Sequence, residues 1–172
     1  MAKRKEWRSR ILGDGQENPD QLLANPANFR IHPKNQQDAL SGVLDDIGWI
    51  QRVIVNQRTG HVIDGHLRVS LALSRGEKSI PVLYVDLSEA EEKLALATID
   101  PISAMAGTDK EQLAALLHAV STDDTAVMEM LAGLAADNGI VDMPEQWKEY
   151  DETAADDIKY CECPNCGHKF PK

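Results

Sequence analysis

Short β-branched runs alternate with a helical stretch in the middle of the chain, and this pattern narrows the possible folds most. The runs at 53–55 and 61–63 flank a turn at Gly60, so they read as two paired strands. Apolar residues at helical spacing follow and end at Gly76, and a nearly continuous apolar run then covers 80–85. A run without alternation is typical of a central strand buried on both faces. We therefore predict an α/β (α+β) module with a small mixed sheet.

Helical patterns lie on both sides of this segment. Before it, apolar residues between 35 and 47 recur at helical spacing, and Gly48 follows as a stop. After it, Ser88 begins a capping-box pattern, and the same pattern recurs at Thr108. We interpret the two apolar stripes that follow as core faces of a helical appendage over 108–136. The stripes are Leu113, Leu116, Leu117 and Val120, then Val127, Met130, Leu131 and Leu134.

Charge is distributed unevenly along the 172 residues, which carry 18 Lys and Arg against 28 Asp and Glu, a net charge of −10. The first ten residues hold five basic side chains, whereas 137–157 holds eight acids and one lysine. Without that acidic segment the net charge is −3. We predict a basic arm and first strand over 1–21, and a solvated acidic linker over 137–157. We also expect the apolar segment 7–12 to end at the glycines Gly13 and Gly15.

Two classes of protein are excluded by hydropathy. No apolar run approaches the roughly 18–20 residues that span a bilayer, so we expect no membrane protein. The basic N-terminus leads into no apolar segment of the kind that a secretory signal contains.

The three cysteines all fall within the last dozen residues, which is typical of metal ligands in a reducing compartment. We therefore expect a cytoplasmic location.

The turn from Asp64 to Arg68 lies where a strand should pass into a helix. Gly65 permits an unusual backbone turn and a close approach to a ligand. The amides that follow are the unpaired first-turn donors of a helix, whose positive dipole end favours anions. His66 and Arg68 add a donor and a fixed charge, so the turn predicts a phosphate site. The alternative is structural: Asp64 caps the helix, Gly65 only forms the turn, and Arg68 is a solvated charge.

Several motifs in a fixed order surround this turn. They are Asn25-Pro26-Ala27-Asn28-Phe29-Arg30, the helix ending at Gly48, Val53-Ile54-Val55, Val62-Ile63-Asp64-Gly65-His66-Leu67-Arg68 with Ala72, and Ile80-Pro81-Val82. With them, residues 22–107 resemble the ParB/sulfiredoxin-like superfamily, in particular the short ParB-like proteins of phages and mobile elements. The resemblance covers about half of the chain and implies a small mixed sheet with helices.

The resemblance also implies a ligand, since the glycine turn of that superfamily holds nucleotide phosphates. Partition proteins of the ParB type bind and hydrolyse CTP there, and related serine kinases bind adenine nucleotides. The nucleotide-binding role carries over to these positions: Gly65, His66, Arg68, Arg30 and Asn25. A nucleoside triphosphate with Mg²⁺ and DNA are the implied partners. Arg30 has an alternative role, which is to pair with a carboxylate while His32 only ends a loop.

A similar box in the kinases makes Asp64 and His66 the candidate catalytic pair. The sequence departs from the family elsewhere. Leu67 and Ser70 occupy positions where partition proteins carry arginine. Of the three cationic contacts that those proteins make to a triphosphate, this sequence therefore retains one. The module has no reactive cysteine beside the glycine turn, and sulfiredoxins need one there. The sequence therefore excludes the sulfinic-acid repair activity of that group. Whether any bond is hydrolysed stays open at this stage.

The C-terminal tail, 158–172, contains a Cys-x-x-Cys loop of zinc-knuckle form. The candidate ligands of a structural Zn²⁺ are Cys161, Cys163, Cys166 and His168. Either these four close a compact site, or they supply half of one and a second chain supplies the rest, which would make the tail a contact for a homo-oligomer or a protein partner. The alternative is a set of free cytosolic thiols.

Three functions fit these features. The first is a ParB-like, nucleotide-responsive, DNA-associated accessory or nuclease-like protein of a phage or mobile element, expressed in a bacterial host. The second is a small-molecule phosphotransferase or nucleotidase that uses the Asp64–Arg68 turn. The third is a non-catalytic interaction adaptor stabilised by zinc.

Overall fold

A mixed four-stranded sheet forms the centre of the molecule. The computed structural model describes residues 6–141, together with the short strands 160–162 and 169–171. The strands of the sheet are β1 (Ile11–Glu17), β2 (Val53–Asn56), β3 (Val62–Asp64) and β4 (Ile80–Val85), in the order β1-β4-β2-β3. β4 runs parallel to β2 and antiparallel to β1, and β2 pairs with β3 as a hairpin. The predicted central strand is therefore confirmed, and Ile80 and Val82 are fully buried.

Five helices accompany the sheet in the described part of the chain. They are α1 (Lys34–Ile47), α2 (His66–Arg75), α3 (Glu89–Ala104), α4 (Lys110–Ala119) and α5 (Thr125–Asp137). Gly48 and Gly76 end α1 and α2 as predicted, and both have a positive φ that side chains other than glycine rarely adopt. The capping box of α3 is confirmed, because the Ser88 side chain accepts from the Glu91 amide and the Glu91 side chain accepts from the Ser88 amide. The α+β class predicted from the sequence is thus correct.

The expected break at the first glycines is wrong. β1 runs through Gly13 and Gly15 and pairs with β4 along its length, with an irregularity near Gly13. A Cβ atom at Gly15 would lie 3.3 Å from the ring of Tyr84 on the neighbouring strand. Glycine at this position therefore makes room for an aromatic side chain across the sheet instead of forming a turn.

The cap of α4 also differs from the prediction. Asp109, and not Thr108, is the N-cap residue, and its carboxylate accepts from the amides of Glu111 and Gln112. A carboxylate can satisfy two unpaired amides at once and also complements the positive end of the helix dipole.

Two clusters of buried apolar residues stabilise the described structure. The larger joins one face of the sheet to α2 through Val53, Val55, Val62, Val69, Ala72, Ile80 and Val82. The smaller lies between α4 and α5 around Leu117 and Ala135. The predicted core stripes are only partly buried, because Leu116 is 60%, Met130 43% and Leu134 38% exposed. Periodicity marked the apolar face of each helix, but no described element covers all of that face.

The helix α5 packs across α1 at a glycine. A Cβ atom at Gly42 would overlap the carboxyl group of Asp124, the residue that caps α5. The missing side chain at Gly42 thus allows the first turn of α5 to approach α1 closely.

The predicted zinc tail and linker lie mostly beyond the described residues. Cys161 lies in an antiparallel strand pair, Tyr160–Glu162 with Lys169–Pro171, where it is opposite Phe170. Cys163, Cys166 and His168 lie outside the described residues, as does most of the acidic segment. Within the described residues no group of three or more His, Cys, Asp or Glu could hold a metal ion. Nor does any helix there have the length and hydropathy needed to cross a membrane.

Candidate phosphate-binding cleft

The turn between β3 and α2 leaves the first amides of the helix unpaired. Gly65 has φ +96° and caps α2 without any side-chain hydrogen bond. A Cβ atom there would lie 3.1 Å from a Val53 methyl carbon and 3.3 Å from its Cα, so both the dihedral angle and the packing favour glycine. The N–H groups of the next three residues, His66 to Arg68, have no acceptor in the described part of the chain. Asp64 is therefore not the cap that the structural alternative required.

A cleft of about 150 Å³ opens at this helix terminus. Its walls come from four segments: the loop before α1, α1 itself, the β3–α2 turn and α3. The polar side chains that line it include Arg30, His32, Asp64, His66, Arg68 and Asp100. The structure therefore brings four of the five predicted nucleotide-binding residues to one cleft, along with both candidate catalytic residues.

Arg68 is held at the wall of the cleft. Its Nη1 lies 3.4 Å from Asp64 Oδ2, and its Nη2 donates to the side-chain oxygen of Gln51. The Arg68 side chain is only 16% exposed. This guanidinium is therefore not a solvated helix charge, and its orientation is fixed by two neighbours before any ligand binds.

Arg30 fits both of the roles considered from the sequence. It lines the cleft, and its Nε also pairs with Asp100 Oδ2 on α3 at 2.5 Å. A guanidinium carries five N–H donors, and this contact engages one of them. Asp100 and Gln51 were missed by the sequence reasoning, because neither belongs to a local motif of the turn.

His66 is a neutral hydrogen-bonding group in the cleft. Burial is the largest influence on its pKa and lowers it below 6.5, with His32 acting in the same direction and Asp64 and Asp100 opposing. Its Nε2 accepts from the backbone N–H of Asn25 at 3.4 Å. A neutral imidazole that accepts at one nitrogen carries its proton on the other, so Nδ1 is the donor.

Asn25 lies behind the cleft instead of lining it. Its side chain is buried, its Nδ2 donates to Glu92 Oε1 at 2.7 Å, and its Oδ1 accepts from the Ala27 amide. The predicted binding residue thus contacts the site through its main chain, by the bond to His66. Its side chain belongs to a buried polar network.

The centre of that network is Glu92, which sequence reasoning missed. Its carboxylate accepts from Asn25, Asn56, Thr59 and His61, which come from the N-terminal loop and the β2–β3 hairpin. Burial opposes ionisation, yet the hydrogen bonds outweigh it and lower the pKa of Glu92 to about 2. The only local signal of its role was its position beside Glu91 in the first turn of α3. Many solvated glutamates occupy the same position in a helix, so this signal does not identify a buried carboxylate.

Comparisons with known proteins found matches among solved structures only. No protein-family model matches the chain, and no curated protein matches it either. Among solved structures, the chain is similar to the C-terminally truncated chromosome-partitioning protein ParB from Caulobacter crescentus complexed with CTP-γ-S. The identity is 18% and the TM-score 0.49, over 78% of this chain and 81% of that one.

Two further structures show a comparable likeness. A pNOB8-like ParB N-domain has 16% identity and a TM-score of 0.46, over 97% of this chain and 56% of that one. The Caulobacter ParB complexed to the centromeric parS site has 15% identity and a TM-score of 0.43, over 79% of this chain and 76% of that one. All three identities lie below 20%, and all three TM-scores lie below 0.5.

Proposed function

We propose that this chain is a ParB-like, nucleotide-responsive and DNA-associated protein that binds nucleotide phosphates at the N-terminus of α2. One observation carries the proposal. The unpaired amides of the first turn, Arg68 and a neutral His66 all meet in a single cleft. Backbone amides at a helix N-terminus bind anions, and a guanidinium adds charge-assisted hydrogen bonds to phosphate oxygens.

The size of the cleft favours a phosphate group over a whole ligand. Its 150 Å³ is below the roughly 300–1,000 Å³ of pockets that enclose drug-sized molecules. We infer that the phosphates enter the cleft while the remainder of the nucleotide extends beyond it.

The charges in the cleft favour a nucleotide that carries a divalent cation. Each arginine is already paired with a carboxylate, Arg68 with Asp64 and Arg30 with Asp100. A bare polyphosphate would compete with these carboxylates for the arginines. Mg²⁺ prefers carboxylate and phosphate oxygens. In a Mg²⁺–nucleotide complex the phosphates can therefore pair with the arginines while the cation pairs with the carboxylates.

The first experiment measures nucleotide binding through stability. A ligand that binds only the native state raises the unfolding temperature, and at about 100 times its Kd it contributes about 2.7 kcal/mol. We expect nucleoside triphosphates with Mg²⁺ to stabilise the full chain and Arg68→Ala to abolish most of that effect. Arg75→Ala is the matched control, because Arg75 lies on the same helix and pairs with Asp45 away from the cleft. Undiminished nucleotide-dependent stabilisation of Arg68→Ala refutes the phosphate site.

The basic N-terminal residues support the proposed DNA contact. Arg10 is engaged by Glu91 and Asp86. The other basic residues of the arm in the sequence are Lys3, Arg4, Lys5 and Arg8. Replacing these four with alanine should lower the slope of log K against log salt by about 3 to 4, since each phosphate contact contributes about 0.9. An unchanged slope excludes the arm as a DNA contact.

The assignment of Asp64 and His66 as catalytic residues stays a prediction. Both line the cleft, and the Nδ1–H of the neutral His66 is able to donate a hydrogen bond to a bound ligand. A nucleotide-turnover assay on Asp64→Asn tests it: lost turnover with retained binding supports a catalytic role, and unchanged turnover contradicts it.

A further inference from the structure

A chain of hydrogen bonds connects the buried carboxylate of Glu92 to the phosphate-binding cleft. Glu92 Oε1 accepts from Asn25 Nδ2 at 2.7 Å, and the main-chain N–H of Asn25 donates to His66 Nε2 at 3.4 Å. Glu92 is 6% and Asn25 5% exposed, so the chain runs through the interior until it reaches His66. The proposed phosphate site uses the histidine but gives no task to the two buried residues behind it.

The polar groups of Asn25 are all engaged, which fixes the position of its main-chain N–H. Its Oδ1 accepts from the Ala27 amide at 2.9 Å, and its carbonyl oxygen accepts from the Asn28 amide at 3.0 Å. Its Nδ2 is held by Glu92. That carboxylate also accepts from three side chains of the β2–β3 hairpin, which are Asn56, Thr59 and His61.

The Asn25 N–H determines the tautomer of His66. A backbone N–H donates and never accepts, so the Nε2 atom that faces it must carry a lone pair. The proton of the neutral ring then lies on Nδ1, because the hydrogen bond at one ring nitrogen sets the protonation of the other. Nδ1 has no hydrogen-bond partner among the described residues, and the ring lines the cleft. The ring therefore keeps one unengaged donor for a ligand.

We propose that Asn25, held by Glu92, is a positioning residue that keeps His66 in the Nδ1–H tautomer, so that the cleft presents a neutral donor to a phosphate oxygen. The inference rests on the proposed function. Burial lowers the pKa of His66 below 6.5, so at neutral pH the ring binds an anion through this N–H and not through a positive charge. In the other tautomer Nδ1 turns a lone pair toward the phosphate, and two acceptors form no hydrogen bond.

The ring nitrogens of His66 report the tautomer directly by ¹⁵N NMR. In the full chain at about pH 8, where the ring is neutral, we expect Nδ1 to carry the proton both before and after tripolyphosphate and Mg²⁺ are added. His66→Gln identifies which of the five histidines gives these signals. A proton on Nε2 in the free protein, or a change of tautomer on binding, overturns the proposal.

Two substitutions of His66 separate the roles of its nitrogens. Asparagine places an amide NH₂ near the position of Nδ1, whereas glutamine reaches the position of Nε2, where its oxygen can accept from the Asn25 N–H. We expect His66→Gln to bind tripolyphosphate about ten-fold more weakly than His66→Asn in calorimetry, because only asparagine keeps a donor toward the phosphate. Equal affinities of the two variants contradict the assignment of Nδ1 as the donor.

The substitution Asn25→Ala tests the positioning role itself. It keeps the main-chain N–H but removes the side chain that ties this N–H to Glu92. We expect a measurable population of the Nε2–H tautomer and tripolyphosphate binding that is weaker by about three-fold or more. A tautomer in Asn25→Ala that matches the wild type assigns Asn25 a purely structural role and overturns the proposal.

The matched control is Thr59→Ala, which removes a different donor to the same carboxylate. The Thr59 hydroxyl donates to Glu92 Oε2 at 2.7 Å and accepts from the His61 amide, so the bond from Asn25 to Oε1 is retained. We expect Thr59→Ala to lower stability without changing the tautomer. A shift of the tautomer as large as in Asn25→Ala shows a general loosening of the network and contradicts a specific role of Asn25.

Two results separate the tautomer from the phosphate site itself. A wild-type protein that binds no tripolyphosphate overturns the proposed function, and the tautomer assignment with it. A protein that binds tripolyphosphate with the proton on Nε2 retains the phosphate site and overturns only the positioning role of Asn25. The wild-type spectrum and the two His66 variants need no change at Asn25, so they test the proposal even where Asn25→Ala does not fold.

Discussion

Replacing Glu92 with glutamine isolates the contribution of the buried carboxylate that joins the N-terminal loop to α3. The pKa of Glu92 is lowered from 4.5 to about 2. This lowering of the pKa corresponds to about 3 kcal/mol of unfolding free energy at neutral pH, because a tenfold change in a proton-binding constant is worth about 1.4 kcal/mol. Because the folded-state pKa is lowered, this stability is present above pH 4.5 and is lost as the pH falls through about 2.

Glutamine has the shape of glutamate but replaces one acceptor oxygen with a donor. One carboxylate oxygen of Glu92 accepts from the Asn25 amide and the other from the Asn56 amide. Neither asparagine can turn over, because their own oxygens accept from the backbone amides of Ala27 and Leu87. In Glu92→Gln the side-chain NH₂ must therefore face the NH₂ group of one of these asparagines. Two donors that face each other leave a buried polar group unpaired, at a cost of about 1–3 kcal/mol.

Urea unfolding at two pH values measures the effect. We expect Glu92→Gln to lower the unfolding free energy by about 3 kcal/mol at pH 7 and by only about 1 kcal/mol at pH 3, where the wild type has lost much of the same contribution. Glu89→Gln, an exposed position on the same helix, should change stability by less than about 1 kcal/mol. A difference between wild type and Glu92→Gln that is the same at both pH values would refute the reasoning, since it would show that the carboxylate charge contributes nothing.

Three further predictions concern other parts of the molecule. Gly133→Ala should raise the unfolding free energy by about 0.5–1 kcal/mol, because alanine favours a helix more than glycine does. Gly42→Ala should raise it little, because the new methyl group displaces the Asp124 side chain, whose capping hydrogen bond contributes about 1 kcal/mol. If chemical denaturation gives both variants the same increase in unfolding free energy, that account of Gly42 is contradicted. The His66 ring should titrate by NMR with a pKa below 6.5 in the free protein and with a higher pKa when tripolyphosphate is bound; a free-protein value at or above 6.5 excludes the neutral histidine. Purified protein should contain zinc, and Cys166→Ser should lower the amount found by metal analysis; metal in trace quantity that a chelator removes without structural change contradicts a structural site.

The elements best predicted from the sequence are those with a local cause. α1 ends at Gly48 and the β2–β3 hairpin turns at Gly60, and both glycines have positive φ. The capping box at Ser88 involves residues within one helical turn. Such features depend on backbone conformation and short-range hydrogen bonds, which neighbouring residues determine largely by themselves.

Predictions failed where a residue serves a partner distant in sequence. Gly15 has the local signature of a turn, but Tyr84 on another strand requires its small size. Met130 and Leu134 have the periodicity of core residues, yet whether a helix face is covered depends on which other elements reach it. A hydrophobic period identifies an apolar face without identifying what packs on it.

The sequence by itself determined the Asp64–Arg68 turn, because a glycine between a strand and an amphipathic helix already implies a helix terminus with a cation one turn away. Only the structure showed that no side chain caps this terminus. Only the tertiary structure brought Arg30 and Asp100 to that terminus and directed the Asn25 side chain into the network around Glu92. The physical reason is one of range. Backbone dihedral angles and first-turn amides respond to residues a few positions away, whereas the partner of a charged side chain is decided by which surfaces meet when the whole chain folds.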